Sequence, residues 1–563
     1  MLIAHTSVLK FPIPPPHATR NQSPRHSNLM SRARVVRAAL LSRLLVLLVS
    51  AAATNYAEPY DCSSTVSVAP LAAAPLAVAP HQRAYPEESG GADHAVHMLL
   101  SGFARWDAVY FLRLAHTSTY EFEQFHAFFP FFPACICGVA ACMRGALSGL
   151  GAASTLSPES LVLVAGATVT HIAFVAAAVV LYELSAQVLD NERLALHASV
   201  LFCFSPASIF FSAIYTESPF ALASFVSMLC FSRADTTGAP SFSSSSALRS
   251  WAWFLGGIAA ASVATAIRSN GIVLAAFGLH VVARRTWIEC GCRGNQSEPA
   301  LCRASGSRLA IRTRVVATVR AVVVAVACTL IAIPFVRFQQ YGHDLYCVAK
   351  YSGETLLLQE RRPWCAEEGL SNLYAFVQSE YWNQGPFCYW TLKQIPNFLL
   401  AAPVLLLSVA MAVCYQAVRT KAADGVTMTH ILMLERLVGF DTNAKMIATS
   451  GYDGDGGDGG NGDDANQKVR RRSVPTTRSV FENRKTAAFV WHCSALAVLM
   501  FICFHVQVAT RFLFAASPAL YWYVADLVER RGENSWPAHL VLTYFCVYFI
   551  LGATLFSAFY PWT

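Results

Sequence analysis

Along most of this chain apolar residues neither alternate nor mark a single face; they run together for about 20 residues at a time, the length an α-helix needs to cross a bilayer. Such runs fall near 35–53, 126–149, 158–186, 195–214, 218–232, 251–267, 271–284, 314–335, 394–417, 486–508, 511–528 and 537–560. The short alternating segments of a membrane β-barrel are not seen. The pattern predicts an all-α polytopic membrane protein. Polar stretches divide it. Residues 1–34 are rich in Pro, His and Arg and read as a disordered basic N-terminus. Residues 35–417 read as a transmembrane region, with the loops 54–125 and 336–393 on one side. Residues 418–485 carry "YDGDGGDGGNGDDANQ" followed by "KVRRRS". A Gly/Asp tract buries too little apolar surface to fold, so a disordered cytosolic insertion is expected there. Residues 486–563 read as C-terminal transmembrane helices.

Charge sets the orientation. The loops of a membrane protein that carry Lys and Arg stay in the cytosol. Residues 284–314, the end of the 418–485 insertion, and Arg530 with Arg531 are such loops. The run at 314–335 then rises, 336–393 is luminal, 394–417 returns, and the C-terminus lies outside. Arg32 and Arg34 precede the first run, which fits an uncleaved signal-anchor or a cleaved signal peptide. Placing "YTES" (215–218) and "RSN" (268–270) on the luminal side requires a segment near 126–149 to be re-entrant or membrane-lying. The N-x-S sequons at Asn21 and Asn295 fall in segments expected to be cytosolic, where no glycan is added.

Composition agrees. Of the 563 residues 55% are hydrophobic and 13% charged, against about 25% charged in soluble domains, and the mean hydropathy is +0.42. The net charge of +8 sits in the clusters between runs, so it is no nucleic-acid signal. Most of the 17 cysteines lie in apolar runs, where Cys is a small core residue. Cys62, Cys347, Cys365 and Cys388 lie in polar loops and are free to form disulfides on an oxidising side. No CxxC pattern and no acidic pair of DxD type in a luminal loop stands out, so neither metal nor cofactor is expected.

Polar residues inside this apolar background are the candidates for chemistry. "FARWDAVYFLRLAHTSTYEFEQFHAFFPFFP" (103–133) puts Trp106, Tyr110 and Arg113 on one helical stripe, as in an amphipathic helix on the bilayer surface. Arg105 and Asp107 there are either an ordinary ion pair or a base beside a membrane-facing cleft, where aromatic burial would raise the carboxyl pKa. Glu217 in "YTES" is an acid between apolar runs, expensive enough to suggest function or else placed to cap a helix start. In "ATAIRSNGIVL" (264–274) Arg268 and Asn270 flank a break at Gly271 whose free N–H groups could hold an anion. "SEYWNQGPFCYWTLKQIPNFLLAAP" (379–403) carries Trp382, Tyr389 and Trp390, which suit an interfacial belt. Asn383, Gln384, Lys393, Gln394 and Asn397 there suit a sugar or phosphate. "FHVQVATRFLFAASPALYWY" (504–523) brings His505, Gln507 and Arg511 into a short polar interruption, which also reads as a tight turn with a snorkelling Arg. Together the clusters suit an enzyme acting on an anionic, lipid-linked sugar at one membrane face. No Walker loop, HExxH, GxSxG or Rossmann fingerprint is found. A transporter would place charges at mid-membrane in pseudo-symmetric halves, and no internal repeat is seen. A non-catalytic subunit with aromatic binding loops stays open.

"RWDAVYFLRLA", "FFPFFP", "SPASIFFSAIYTES", "RSNG", "YWNQGPFCYWTLKQIPNFLLAAP" and "HVQVATRFLFAASPALYWY" resemble, in order, the blocks of the PIG-V family, the second mannosyltransferase of glycosylphosphatidylinositol (GPI) anchor assembly. The resemblance implies a GT-C-type glycosyltransferase fold with short interfacial helices on luminal loops, in the endoplasmic reticulum membrane. It implies transfer of mannose from dolichyl-phosphate mannose to the first mannose of a GPI precursor, in α-1,6 linkage and with inversion. It makes Asp107 the favoured essential acid. Another GT-C transferase remains an alternative, and a small membrane partner subunit is compatible with the reading. The chemistry asks for a base to take the acceptor proton, here Asp107 with Glu217 in reserve or orienting the sugar. It asks for cations beside the leaving phosphate, here Arg268, Lys393, Arg511 or Arg105. Trp106, Asn270, Trp382, Asn383, Gln394 and Gln507 complete the expected substrate site.

Overall fold

The computed structural model describes residues 24–58, 60, 91–152, 155–236, 245–289, 307–347, 363–365, 372–423 and 479–562. Every regular element among the described residues is a helix, as the runs of apolar residues predict. Helix α1 (Pro24–Tyr56) begins ahead of the run at 35, so the expectation that 1–34 lacks structure fails over 24–34. Helix α2 (Gly91–Leu100) is tied to the last turn of α1, where Asn55 Nδ2 donates to the Met98 carbonyl at 2.9 Å. The turn after α2 presses against α1 so closely that a Cβ at Gly102 would come within 2.3 Å of Ser50 Oγ. This contact holds the following residues, Asp107 among them, at the end of α1. Helix α3 is Ala108–Thr117 and α4 is Phe131–Gly149.

Helix α5 (Pro158–Leu189) starts on a Ser cap with Pro at its first position, the pairing that local chemistry favours. At its other end Asp190 takes a left-handed conformation (φ 53°) and Asn191 caps α6 (Glu192–Cys203). The chain thus reverses within two residues. The run at 195–214 does not continue as a helix, because Ser205–Pro206 stops α6 and residues 204–216 follow as turns. Helices α7 (Glu217–Thr236) and α8 (Ser245–Ile267) come next, then a 3-10 turn at Ser269–Leu274, α9 (Ala275–Glu289) and α10 (Ser307–Tyr346). At 40 residues, α10 is far longer than its apolar run. The remaining helices are α11 (Leu373–Glu380), α12 (Ile395–Ala423), α13 (Ala487–Cys503), α14 (Ala509–Ala516), α15 (Pro518–Arg531) and α16 (Trp536–Ser557). The run at 511–528 is cut into α14 and α15 by Ser517–Pro518, for the same reason that α6 ends early.

Eight of the described helices are long and apolar enough to cross a membrane. They share a core in which small residues let backbones approach, as bundles in lipid require. Ala173, Ala177, Ala178 and Ser185 of α5 are fully or nearly fully buried, and Trp522 of α15 donates its indole N–H to Ser185 Oγ at 2.7 Å. One end of the bundle gathers basic residues: Arg32 pairs with Glu183, Arg193 with Glu529 and Lys485 with Asp190. The other end holds the C-terminus of α1, α2 and Asp107.

Helix α4 answers the parity problem. It starts just after Phe128 and Phe129, which line the cavity described below. It ends nine residues before Pro158, and the cap residue Ser157 is held by Asp93 of α2, at 2.9 Å from its amide. The residues that enter α4 and those that start α5 therefore lie toward the same end of the bundle, the one that holds Asp107, so α4 and its connection make no net crossing. With α4 set aside, Tyr215, Glu217 and Arg268 all arrive at that end. The loop beyond α10 is closed by a disulfide between Cys347 and Cys365. Cys388 is free, and Cys62 lies outside the described residues. So do the sequons at Asn21 and Asn295 and most of the 418–485 insertion.

Candidate active site

The charged residues of the site arrive on three breaks in helical structure. Asp107 stands just before α3, Glu217 in the first turn of α7, and Arg268 in extended conformation (φ −151°, ψ 141°) after α8. The chain turns so tightly there that a Cβ at Gly271 would meet the Thr265 amide at 2.3 Å. Only glycine permits that approach. Arg511 comes from α14 and draws the others together. Its guanidinium reaches Asp107 Oδ2 at 3.1 Å and Glu217 Oε1 at 3.6 Å. Arg268 donates to the same Glu217 oxygen at 2.6 Å and to Thr216 Oγ1 at 3.3 Å. Rings steer the cations: Arg511 lies over Phe210 and Tyr215, each at 5.2 Å, and Arg268 lies between Phe220 and Phe512. The Asp107 amide donates to Tyr215 Oη at 2.9 Å, which fixes the backbone that carries the carboxylate.

These groups line or support a cavity of about 570 Å³, a size suited to a small ligand, for which the range is about 300–1,000 Å³. Of the residues expected from sequence, Asp107, Arg268, Asn270, Trp382, Gln507 and Arg511 form its wall. Glu217 stands behind the wall: its side chain is 0% exposed, whereas that of Asp107 is 34% exposed. From there Glu217 pairs with both arginines, Arg268 at 2.6 Å and Arg511 at 3.6 Å.

Five expected contacts are not in the wall. Arg105 turns away to stack on Phe559 at 4.2 Å, and Trp106 packs on the same ring. The cause is the left-handed backbone at Trp106 (φ 55°), which points successive side chains in different directions. Asn383 is also left-handed (φ 48°) and faces outward, and Lys393 is exposed. Gln394 acts at one remove. Asn397 donates to Gln394 Oε1 and Tyr389 Oη, and Tyr389 in turn donates to Gln507 Oε1 at 2.7 Å. The amphipathic stripe fails as well. Arg113 is buried and paired with Glu121 at 2.8 Å, and Tyr110 stacks on Phe128. Trp390 is exposed beside Phe387.

Sequence reasoning passed over Tyr374, Gln378 and Phe335, which line the cavity from α10 and α11. It also passed over Arg43. This buried α1 residue donates to the carbonyls of Ser208 and Cys203 and to Ser212 Oγ, and stacks on Phe174 at 3.9 Å. It supplies the donors that the unwound segment 204–216 needs inside a bundle. The signal was an Arg in mid-run, where charge is costly. Replacing Arg43 with Met leaves these acceptors unmet at roughly 1–3 kcal/mol for each buried group. The expected result is a clear fall in the melting temperature of the detergent-solubilised protein, only partly restored by Lys. An unchanged melt for Arg43→Met would refute the anchoring role.

His505 also faces the cavity, stacked on Tyr389 at 4.3 Å. Burial holds its pKa below the usual histidine range, so the ring is neutral at physiological pH. Asp107 is the carboxylate in the wall, with the Arg511 guanidinium at 3.1 Å. Among the described residues no group of three or more His, Cys, Asp or Glu has metal-site geometry.

Fold and site together define an integral-membrane protein that gathers paired charges around a ligand-sized cavity at one end of a helical bundle. The chain belongs to the Mannosyltransferase (PIG-V) family, whose sequence profile matches residues 32–563. GPI mannosyltransferase 2 of Drosophila pseudoobscura pseudoobscura is 30% identical, over 94% of this chain and 99% of the relative. GPI alpha-1,6-mannosyltransferase 2 of Mus musculus is 29% identical, over 84% of this chain and 90% of the relative. The Homo sapiens protein of the same name is 27% identical over the same shares. No solved structure matches.

Proposed function

We propose that this chain adds the second mannose of a GPI anchor, moving it from dolichyl-phosphate mannose to the first mannose of the precursor in α-1,6 linkage. One observation carries the reading: in a chain of this family, Asp107, Arg268 and Arg511 meet at one cavity. A phosphate-linked donor needs cations where charge grows on the leaving group, and the acceptor hydroxyl needs a base. The cavity offers both. The acceptor oxygen attacks the anomeric carbon of the donor from the face opposite the phosphate. Its proton goes to Asp107, the bond from that carbon to the phosphate oxygen breaks, and the electron pair leaves with dolichyl phosphate. The configuration inverts.

The resting Asp107–Arg511 pair has a consequence for this step. The two carboxylates, Asp107 and Glu217, balance the two guanidiniums of Arg268 and Arg511. Once Asp107 takes the proton, Arg511 loses its partner as the leaving phosphate gains a charge. Base and cation thus exchange partners within one pocket, and Glu217 keeps Arg511 in reach throughout.

A luminal site in the endoplasmic reticulum membrane fits two further features. The Cys347–Cys365 disulfide lies in the loop beyond α10, toward the cavity, and disulfides form on the oxidising side. The basic residues gather at the opposite end, as cytosolic ends do. The family match over 32–563 weighs against a transporter. Loss of the chain is expected to make cells accumulate a GPI precursor with one mannose, read by lipid extraction and mass spectrometry. Accumulation of a precursor with no mannose, or with two, would overturn the assignment.

A further inference from the structure

A second cavity, of about 490 Å³, lies at the basic end of the bundle, away from Asp107. Arg37 on its rim and Thr54 beside Gly102 are 17 residues apart on α1, roughly 25 Å along a helix. Its walls come from α1, α6, α15 and α16 and are apolar, including Leu41, Val200, Phe204, Val528 and Leu542. Its rim carries Arg34 and Arg37, one helical turn apart on α1.

These two arginines differ from their neighbours. Arg32, Arg193 and Arg530 are already matched by Glu183, Glu529 and Asp526. Arg34 and Arg37 are exposed and make no ion pair or side-chain hydrogen bond among the described residues. Two other ionisable groups share the rim. His197 is engaged by Glu529 at 3.9 Å, and Glu533 is exposed to water. Arg34 and Arg37 together outweigh Glu533. Trp536, 66% exposed at the start of α16, marks the headgroup level, where aromatic residues collect.

We infer that this groove holds one anionic diacyl phospholipid, its phosphate on Arg34 and Arg37 and an acyl chain along the apolar wall between α1 and α6. The charge fits the leaflet: the cytosolic face of membranes carries the anionic lipids, and basic pockets between helices on that side receive their headgroups. The lipid would fill the seam between α1 and α6, the two helices that Arg43 also links.

The test uses the purified full-length chain, exchanged into micelles with equal phosphatidylcholine and phosphatidylserine, with bound lipid read by native mass spectrometry. Wild type is expected to retain a single phosphatidylserine in preference to phosphatidylcholine. Arg34→Gln/Arg37→Gln should weaken that retention about 30-fold, since each basic residue near the surface contributes about a fivefold factor. Arg34→Lys/Arg37→Lys should retain it, and Val200→Trp, which fills the groove, should expel it. Thermal melts check that each variant is folded. Equal retention of the two lipids by wild type, or undiminished phosphatidylserine on the Gln variant, would overturn the inference. The readout is lipid mass, so it stands apart from mannose transfer.

Discussion

Asp107→Asn is expected to slow mannose transfer by about 10²–10⁴-fold, the contribution typical of one positioned general base. Membranes containing the variant, given labelled dolichyl-phosphate mannose and a one-mannose acceptor, provide the measurement. The substitution keeps size and shape. The Asp107 amide still bonds to Tyr215 Oη, and Arg268 still neutralises Glu217 at 2.6 Å. Folding is therefore expected to survive, and protein level and melting temperature serve as controls. The loss should fall on kcat more than on KM, because proton transfer belongs to the transition state. A folded Asp107→Asn protein with full activity would remove Asp107 from the reaction and leave the neutral His505 as the remaining acceptor in the wall.

Much of the fold was legible because a membrane imposes one rule: backbone groups in lipid must be satisfied within the segment. Long apolar runs then have to be helices, and basic loops orient them. What the runs hide is where a helix stops inside the bundle. The stretch at 195–214 is apolar enough to read as one run, yet α6 ends at Cys203. The freed carbonyls find their donors on Arg43, 160 to 165 positions away in sequence. No local pattern contains that partner. Helix α4 shows the converse: it is apolar and long enough to cross, and only the bond between Asp93 and Ser157 shows that the chain is back at the same end when α5 begins.

The site was legible in part for a similar reason. Acids and arginines are costly among apolar residues, so Asp107, Glu217, Arg268 and Arg511 stood out. Their partners did not. Arg105 and Asp107 are two residues apart and suggested a pair, but the turn at Trp106 separates them, and Asp107 joins Arg511 from 404 positions away. Burial decided the rest. Glu217 is sealed behind the wall and Lys393 is in water, a difference that residue type alone does not encode. Tyr374 and Gln378 carry no charge to mark them.

Arg511 is the residue on which the two acids depend, so its substitution is expected to match or exceed the loss at Asp107. Arg511→Lys keeps a charge but not the planar fork that meets two carboxylates at once. Removing one preorganised donor from a developing charge costs about 10²–10³-fold in kcat, and Arg511→Gln is expected to reach at least that. The diagnostic is the double variant Asp107→Asn/Arg511→Gln. If base and cation exchange partners during transfer, they work as a unit, and the double variant should be little slower than the worse single one. Losses that multiply would mean that Arg511 serves the phosphate independently of Asp107, and the exchange would have to be given up. Glu217→Gln separates the remaining possibility. It leaves Arg511 its bond to Asp107 at 3.1 Å but releases the anchor behind it. A positioning role predicts a smaller fall in kcat together with a lower melting temperature. A fall as deep as that of Asp107→Asn, with no change in the melt, would return Glu217 to the chemistry.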